Sequence, residues 1–397
     1  MATSRREFLH RSALGAGALG LGLAGTAVRT EAYSRPSTSR QAPRRLRLLI
    51  LGGTGFIGPH QVRYARERGH ELTLFNRGRT APDLFPGVET LIGDRDGDYR
   101  SIEQEIAGGR SWDVVIDNPA TDPEWVKSAT RILRPVTDQY IYVSSISAYR
   151  YNNVEWADET APRHTLENTT AREREGALSY GWQKTQSEEA AMAAYPGRAT
   201  IVRPGLIVGP GDRSDRFTWW PYRIQRGGEV LCPGPRENPV QIIDARDLSQ
   251  WMIRMAEMGE TGAYNATGPE SEMTMDQMLY GIRAVCTGEM SFTWVDQDFL
   301  AEQRVGSWME IPVWIPFTEE MKGFSRWSIQ KALSRGLTFR SLAETTADTL
   351  AMIQGWPVER RERLAMGRCE ENPRGTGLTP DKEERILEAW HAGHGGR

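Results

Sequence analysis

Leu48-Leu49-Ile50-Leu51-Gly52-Gly53-Thr54-Gly55-Phe56-Ile57-Gly58 is the stretch on which the reading of this chain turns. Four apolar residues in a row make the short continuous run that a parallel strand needs when both its faces are covered. Glycines at 52, 55 and 58 follow at once, and each has a task where a strand passes into a helix. Gly52 permits the tight turn, Gly55 lets backbone amides approach a pyrophosphate, and Gly58 lets the helix lie close to the sheet. The helix N-terminus then offers unpaired N–H groups and a partial positive charge to phosphates. Pro59 falls in the first turn, where a missing N–H costs little, and Gly69 is a stop signal. Gly52, Thr54, Gly55, Phe56, Ile57 and Gly58 are therefore the candidate phosphate contacts of a dinucleotide.

Similar apolar runs recur at 71–75, 114–116, 140–143 and 199–202, with helix-compatible stretches between most of them. Strand alternating with helix predicts an α/β fold, a doubly wound parallel sheet with helices on both faces. After Gly209 the pattern loosens and Pro and Trp become frequent, with Trp219-Trp220, Trp251, Trp294, Trp308 and Trp314. This predicts a smaller second region. The expected division is a dinucleotide-binding domain at 47–211, to which 240–268 returns, with 212–239 and 269–397 forming a substrate-binding region and C-terminal helices. Of the tryptophans, Trp219-Trp220 is the pair placed to stack on a sugar, the rest being packing residues. The charged stretch 357–386 reads as a solvated helical face.

The second run ends at Asn76-Arg77-Gly78-Arg79. An acidic residue there would take the ribose hydroxyls of NAD. Asn76 is not acidic, whereas Arg77 and Arg79 can pair with the 2′-phosphate of NADP, which favours NADP over NAD. Arginine also stacks on adenine without any phosphate, so NAD stays open. Further on, Asp94, with Arg95 beside it, can accept from the adenine amino group. Asp94, Asp96, Asp98 and Glu105 have the spacing of a calcium loop, but Tyr99 stands where its sharp turn requires glycine. No metal site is expected.

Tyr180-Gly181-Trp182-Gln183-Lys184 lies in a stretch that reads as helix through Ala194, so Tyr180 and Lys184, four apart, share a face. Bringing a tyrosine from its usual titration near pH ~10 down to neutrality takes about 4 kcal/mol. An ammonium ~4 Å away at an effective dielectric of ~20 contributes about that much. The run Tyr140-Ile141-Tyr142-Val143 ends at Ser144-Ser145-Ile146-Ser147, and ligands of parallel sheets sit at the carboxyl ends of strands. One of these hydroxyls then faces the site, and at least one other terminates the strand through backbone hydrogen bonds.

The glycine stretch 52–58, Ser145, Tyr180 and Lys184, in this order and spacing, resemble the extended short-chain dehydrogenase/reductase superfamily, and more closely its NAD-dependent epimerase/dehydratase branch. The resemblance covers about residues 47–356 and includes the segments 203–212, 243–248 and 328–333. It implies a Rossmann-type fold with Ser145 as the catalytic hydroxyl, Tyr180 as acid/base, and Lys184 as its pKa modulator and a ribose contact. It also implies that Pro204 and Gly205 pass near the nicotinamide, and that a homodimer forms. Asp117-Asn118-Pro119-Ala120 departs from the family's usual stretch after the fourth strand. Ser145-Ile146-Ser147 lacks the acid that the sugar-nucleotide dehydratases carry, which disfavours loss of water.

Composition narrows the class. The chain has 397 residues, 39% hydrophobic and 25% charged, with a net charge of −3. That balance gives no general pull toward nucleic acid or anionic membranes. Cys232, Cys286 and Cys369 are too few and scattered for a disulfide framework. No H-E-x-x-H, C-x-x-C or G-x-S-x-G occurs, and His60, beside Pro59, reads as a packing or capping residue. At the front, Arg5-Arg6, Phe8-Leu9 and the weakly apolar run 13–28 resemble a twin-arginine export signal over 1–32, followed by an arginine-rich tether at 33–46. Cleavage after Ala27 or Ala32 leaves no stable membrane span, and the destination is periplasmic or extracellular; without export the chain is cytoplasmic. The expected activity is hydride movement between NADP or NAD and a carbinol or carbonyl carbon, of a sugar or sugar nucleotide among other small molecules. The alternatives are a ketone or aldehyde reductase using exchangeable NADPH, and a non-catalytic scaffold binding nucleotide or RNA.

Overall fold

The computed structural model describes residues 41–118, 122–175 and 179–394, and these fall in one compact unit. The twin-arginine stretch, most of the tether, and Pro119 and Ala120 lie outside the described residues. No helix among the described residues is long and apolar enough to cross a membrane.

Seven strands form the central sheet: β1 (Arg47–Leu51), β2 (Glu71–Asn76), β3 (Glu89–Ile92), β4 (Trp112–Asp117), β5 (Thr137–Val143), β6 (Ala199–Pro204) and, returning late in the chain, Gly262–Ala266. Their spatial order is β3-β2-β1-β4-β5-β6 and then Gly262–Ala266, and every neighbouring pair is parallel. The order reverses between β1 and β4, which opens a crevice at their carboxyl ends. The fold is thus a Rossmann-type doubly wound α/β fold.

Alternation along the strands explains why their sequences look uniformly apolar. Leu48 and Ile50 of β1 point into one core with Val62 and Ala65 of α1 (Gly58–Glu67). Leu49 and Leu51 point into the other, with Val126, Ala129 and Leu133 of α2 (Pro123–Leu133) and Ala191 of α3 (Ser179–Ala194). Both faces are covered, so both phases of the alternation are hydrophobic.

A third core lies in the second region, around Trp219 and Trp220 of α4 (Trp219–Gln225) and a parallel pair made by Gly228–Pro233 and Met290–Val295. Two sequence expectations fail here. Trp219 and Trp220 are buried, meet edge to face, and Trp220 donates its indole N–H to the Pro312 carbonyl at 2.8 Å, so the pair is core and not a sugar platform. The 357–386 stretch is not a purely solvated face. Leu364, Leu378 and Ile386 enter the core, and Glu383 is buried because Arg223 donates to it at 2.7 Å and the Leu231 amide at 3.1 Å.

The glycine turn sets how closely α1 meets the sheet. Gly52 adopts φ +87°, which favours glycine. A Cβ on Gly58 would lie 2.6 Å from the Gly52 carbonyl oxygen and as close to the backbone of Gly53. Gly58→Ala therefore forces strand and helix apart and is expected to cost about 1–3 kcal/mol of stability, read as a lower midpoint in equilibrium urea unfolding.

Candidate active site

A cavity of about 330 Å³ opens at the carboxyl ends of β1, β2 and β4. Among its lining residues are Gly52, Thr54, Gly55, Phe56, Ile57 and Gly58 from the glycine turn, Asn76 and Arg77 after β2, and Asp94 and Arg95 after β3. A Cβ at Gly55 would meet nothing closer than 3.7 Å, so this glycine leaves room on the cavity side while Gly58 closes the helix onto the sheet. The Asn76 side chain accepts from the Gly78 amide at 2.8 Å and shapes its own turn. Arg77 and Arg79 line the cavity, are exposed, and carry no ion pair among the described residues. Donors at the helix end, free arginines and a carboxylate at Asp94 fit a dinucleotide with phosphates on the turn.

The cavity's rear wall is a buried polar floor. Asp117, at the end of β4 and fully buried, accepts a two-pronged ion pair from Arg95 and the Tyr140 hydroxyl at 2.5 Å. Burial works against the charge on Arg95, and Asp117 outweighs it, so this guanidinium titrates above its usual range. Its other side lies over the Trp125 ring, 5.6 Å away. Arg95 thus lines the site, as expected, but its charge is committed to Asp117 and not to a ligand. Beside it, Asn118 and Gln61 exchange two amide hydrogen bonds at 2.7 and 2.9 Å, tying α1 to the end of β4.

The proton-transfer candidates converge at the end of β5. Ser145 accepts from the Ser147 amide at 3.1 Å and bonds to Tyr180. Gly181 brings them together. A Cβ there would strike the Ser147 carbonyl at 2.2 Å, so only glycine lets α3 press against the turn after β5. The buried face of α3 is mostly polar, with Gly181, Lys184, Thr185, Ser187, Glu188 and Ala191. Lys184 is fully buried. Its ammonium donates to the Val143 carbonyl at 3.0 Å and the Tyr142 hydroxyl at 3.3 Å, and stands 5.7 Å from the centre of the Tyr180 ring. Burial brings its pKa down to about 8, against the pull of Asp117 and Glu188.

One expected effect is reversed. Lys184 was expected to draw the Tyr180 pKa down, yet that pKa is raised. Protein crowds the phenol even though 41% of the residue meets solvent, and this desolvation outweighs Ser145 and a cation the sequence reading missed, Arg216. Pro204 and Gly205 stand outside the cavity lining. Pro204 is paired with Ala266 in the sheet, and Gly205 is closed over by Thr267, while Ile207 and Arg213 from the same segment do line it. His60 donates from Nε2 to the Pro210 carbonyl, 2.9 Å away, and so ties α1 to that segment. Behind Ser145, the buried Glu188 carboxylate holds Arg203 through two bonds of 2.9 and 2.7 Å and also accepts from Ser144 and Arg163. Ser144 is therefore the serine that serves the scaffold.

Residues 48–127 match the NAD dependent epimerase/dehydratase family. That segment carries the glycine turn, Asp94, Arg95 and the Asp117-Asn118 floor. The chain shares the Rossmann-type fold of solved epimerases. The chloroplast stem-loop binding protein of 41 kDa b from Arabidopsis thaliana is 24% identical over 345 residues, 77% of this chain and 84% of that protein. The 2-alkyl-3-oxoalkanoate reductase of Stenotrophomonas maltophilia is 26% identical over 178 residues, 42% of this chain and 53% of that one. Among solved structures, the Bordetella bronchiseptica enzyme WbmH with NAD+ superposes with a TM-score of 0.56 at 14% identity, over 79% of this chain and all of that one. The UDP-glucose 4-epimerase of Thermotoga maritima with UDP-glucose gives 0.55 at 16% identity, over 78% of this chain and 98% of that one.

The buried floor yields a stability test. Asp117→Ala leaves Arg95 without its carboxylate and is expected to cost about 3–5 kcal/mol. Adding Arg95→Met should return part of that loss, so the double variant unfolds at higher urea than Asp117→Ala alone.

Proposed function

We propose that this chain is a nicotinamide-dependent oxidoreductase or epimerase that acts on a carbinol or carbonyl carbon, with Tyr180 as the proton donor and acceptor. The observation that carries this is the meeting of Ser145, Tyr180 and Lys184 at the end of β5, on the same sheet edge as the glycine-turn cavity. The dinucleotide supplies the hydride. The turn amides hold its phosphates, and Asp94 takes the adenine. Arg77 and Arg79 meet a 2′-phosphate, which makes NADP the preferred form.

Ser145 positions the substrate oxygen next to the phenol. With its pKa raised, Tyr180 is protonated at neutral pH and suits proton donation to a developing alkoxide, the direction of carbonyl reduction. The phenolate left behind is favoured by the Ser145 hydroxyl and the Arg216 cation, with the Lys184 ammonium 5.7 Å from the ring centre. The reverse direction needs more positive charge at the site than the protein alone provides.

A second reading, a nucleotide- or RNA-binding scaffold without chemistry, is favoured by the name of the Arabidopsis relative. The net charge of −3 and the assembled Ser-Tyr-Lys set support catalysis instead. Tyr180→Phe separates the two. With NADPH and a panel of aldehydes and oxo acids, it should lower turnover about 10²–10⁴-fold while nucleotide affinity is kept; undiminished turnover contradicts the role given to Tyr180. In the native chain kcat/KM for reduction should fall as pH rises through about 8, where Lys184 loses its proton. Lys184→Met should remove that alkaline limb.

Export by the twin-arginine route belongs to the same proposal, supported by Arg5-Arg6 and the apolar run after them. Passage of a folded chain lets cofactor be bound in the cytoplasm and carried out, which suits a reaction that regenerates its nicotinamide within one cycle. Replacing Arg5 and Arg6 by Lys should hold the protein in the cytoplasm. Unchanged export of that variant contradicts the twin-arginine route.

A further inference from the structure

Arg216 lies on the segment between Leu206–Val208 and α4, far in sequence from Tyr180, yet the two side chains act on each other's charge. Its guanidinium is set 4.9 Å over the Trp308 ring, and Trp308 is itself met edge-on by Phe324 at 5.3 Å. The Arg216 Nε donates to the Ser214 hydroxyl at 3.1 Å. Ser214 is fixed in turn by the buried Asp212 carboxylate, which accepts from its amide at 2.8 Å and its hydroxyl at 3.0 Å. The ring beneath and the serine behind hold the guanidinium in one orientation. The two Nη groups have no hydrogen-bond or ion-pair partner among the described residues.

That arrangement is costly. A largely covered cation with no carboxylate at ion-pair distance loses hydration without full return. Trp308 adopts φ +66°, and Val313, close behind it in sequence, φ +69°. Such backbone costs about 1–3 kcal/mol per residue and gathers at ligand sites. Stability alone explains neither the unpaired edge nor the strained platform that supports it.

We propose that Arg216 on its Trp308 platform is the subsite for an oxyanion of the substrate. The chain's substrates then carry a carboxylate or phosphate monoester on an apolar or planar body, and their carbinol or carbonyl oxygen reaches Tyr180. The inference rests on the reading of Tyr180 as acid/base. The open Nη edge provides the paired N–H donors that carboxylate and phosphate match, and Trp308 provides the apolar wall.

The test is calorimetric binding of benzoate, phenyl phosphate and benzyl alcohol to the full chain, with and without NADP+. At least one of the anions should bind tenfold or more tightly than the alcohol, and the better of the two tells carboxylate from phosphate. Arg216→Gln should abolish that margin while NADP+ affinity stays the same. The exposed Arg283→Gln should retain the margin, which controls for general loss of charge. Equal binding of anions and alcohol, or a margin that survives Arg216→Gln, overturns the subsite. Failure of NADP+ itself to bind the native chain is a separate result, which overturns the dinucleotide reading and leaves the anion measurement on the nucleotide-free chain to be judged alone.

Discussion

The contact between Gly58 and the backbone of Gly52 and Gly53 is the constraint on which the site depends. It admits no Cβ, and by admitting none it sets the N-terminus of α1 directly over the ends of β1 and β4. The amide pair between Gln61 and Asn118 and the bond from His60 to Pro210 then fix the helix on both sides. A phosphate bound at this turn would need little reorganisation of the protein, because the donors offered are backbone groups held by close packing. The same device recurs at Gly181, where a second close approach brings Tyr180 to Ser145.

Beneath these two contacts the molecule buries charge. Asp117 gathers Arg95 and Tyr140, and Glu188 gathers Arg203, Arg163 and Ser144. Buried ion pairs of this kind add little net stability over apolar packing, but each is strongly destabilised by loss of one member. Their effect on the site is electrostatic: two buried carboxylates favour the charged form of Lys184, whose burial would otherwise lower its pKa further. At Tyr180 the Ser145 hydroxyl and the Arg216 cation favour the phenolate, but desolvation outweighs both, so the pKa is raised and the phenol holds its proton.

Much of this was legible in the chain. The uninterrupted run 48–51 and the glycines after it announce a covered parallel strand and a tight turn into a closely packed helix, because both signals are local and follow from backbone geometry. Tyr180 and Lys184 are legible as a pair because four residues apart is one helical turn. What the chain conceals is whatever depends on distant partners. Glu383 looks like a surface charge until Arg223, 160 residues away, is found against it. Trp219-Trp220 looks like a platform because nothing nearby reveals the core that surrounds it. Arg216 has no motif, since Trp308 and Tyr180, from separate segments, define its setting.

The central claim is that the glycine turn holds a nicotinamide dinucleotide. Equilibrium dialysis of the purified full chain against NADP+ tests it most directly, with Gly55→Val, which fills the cavity without touching the α1 contact, as the paired variant. The account predicts saturable binding of one NADP+ per chain that is lost in Gly55→Val while the circular dichroism of the two proteins stays the same. Absence of saturable binding, or binding that Gly55→Val leaves unaltered, would contradict it.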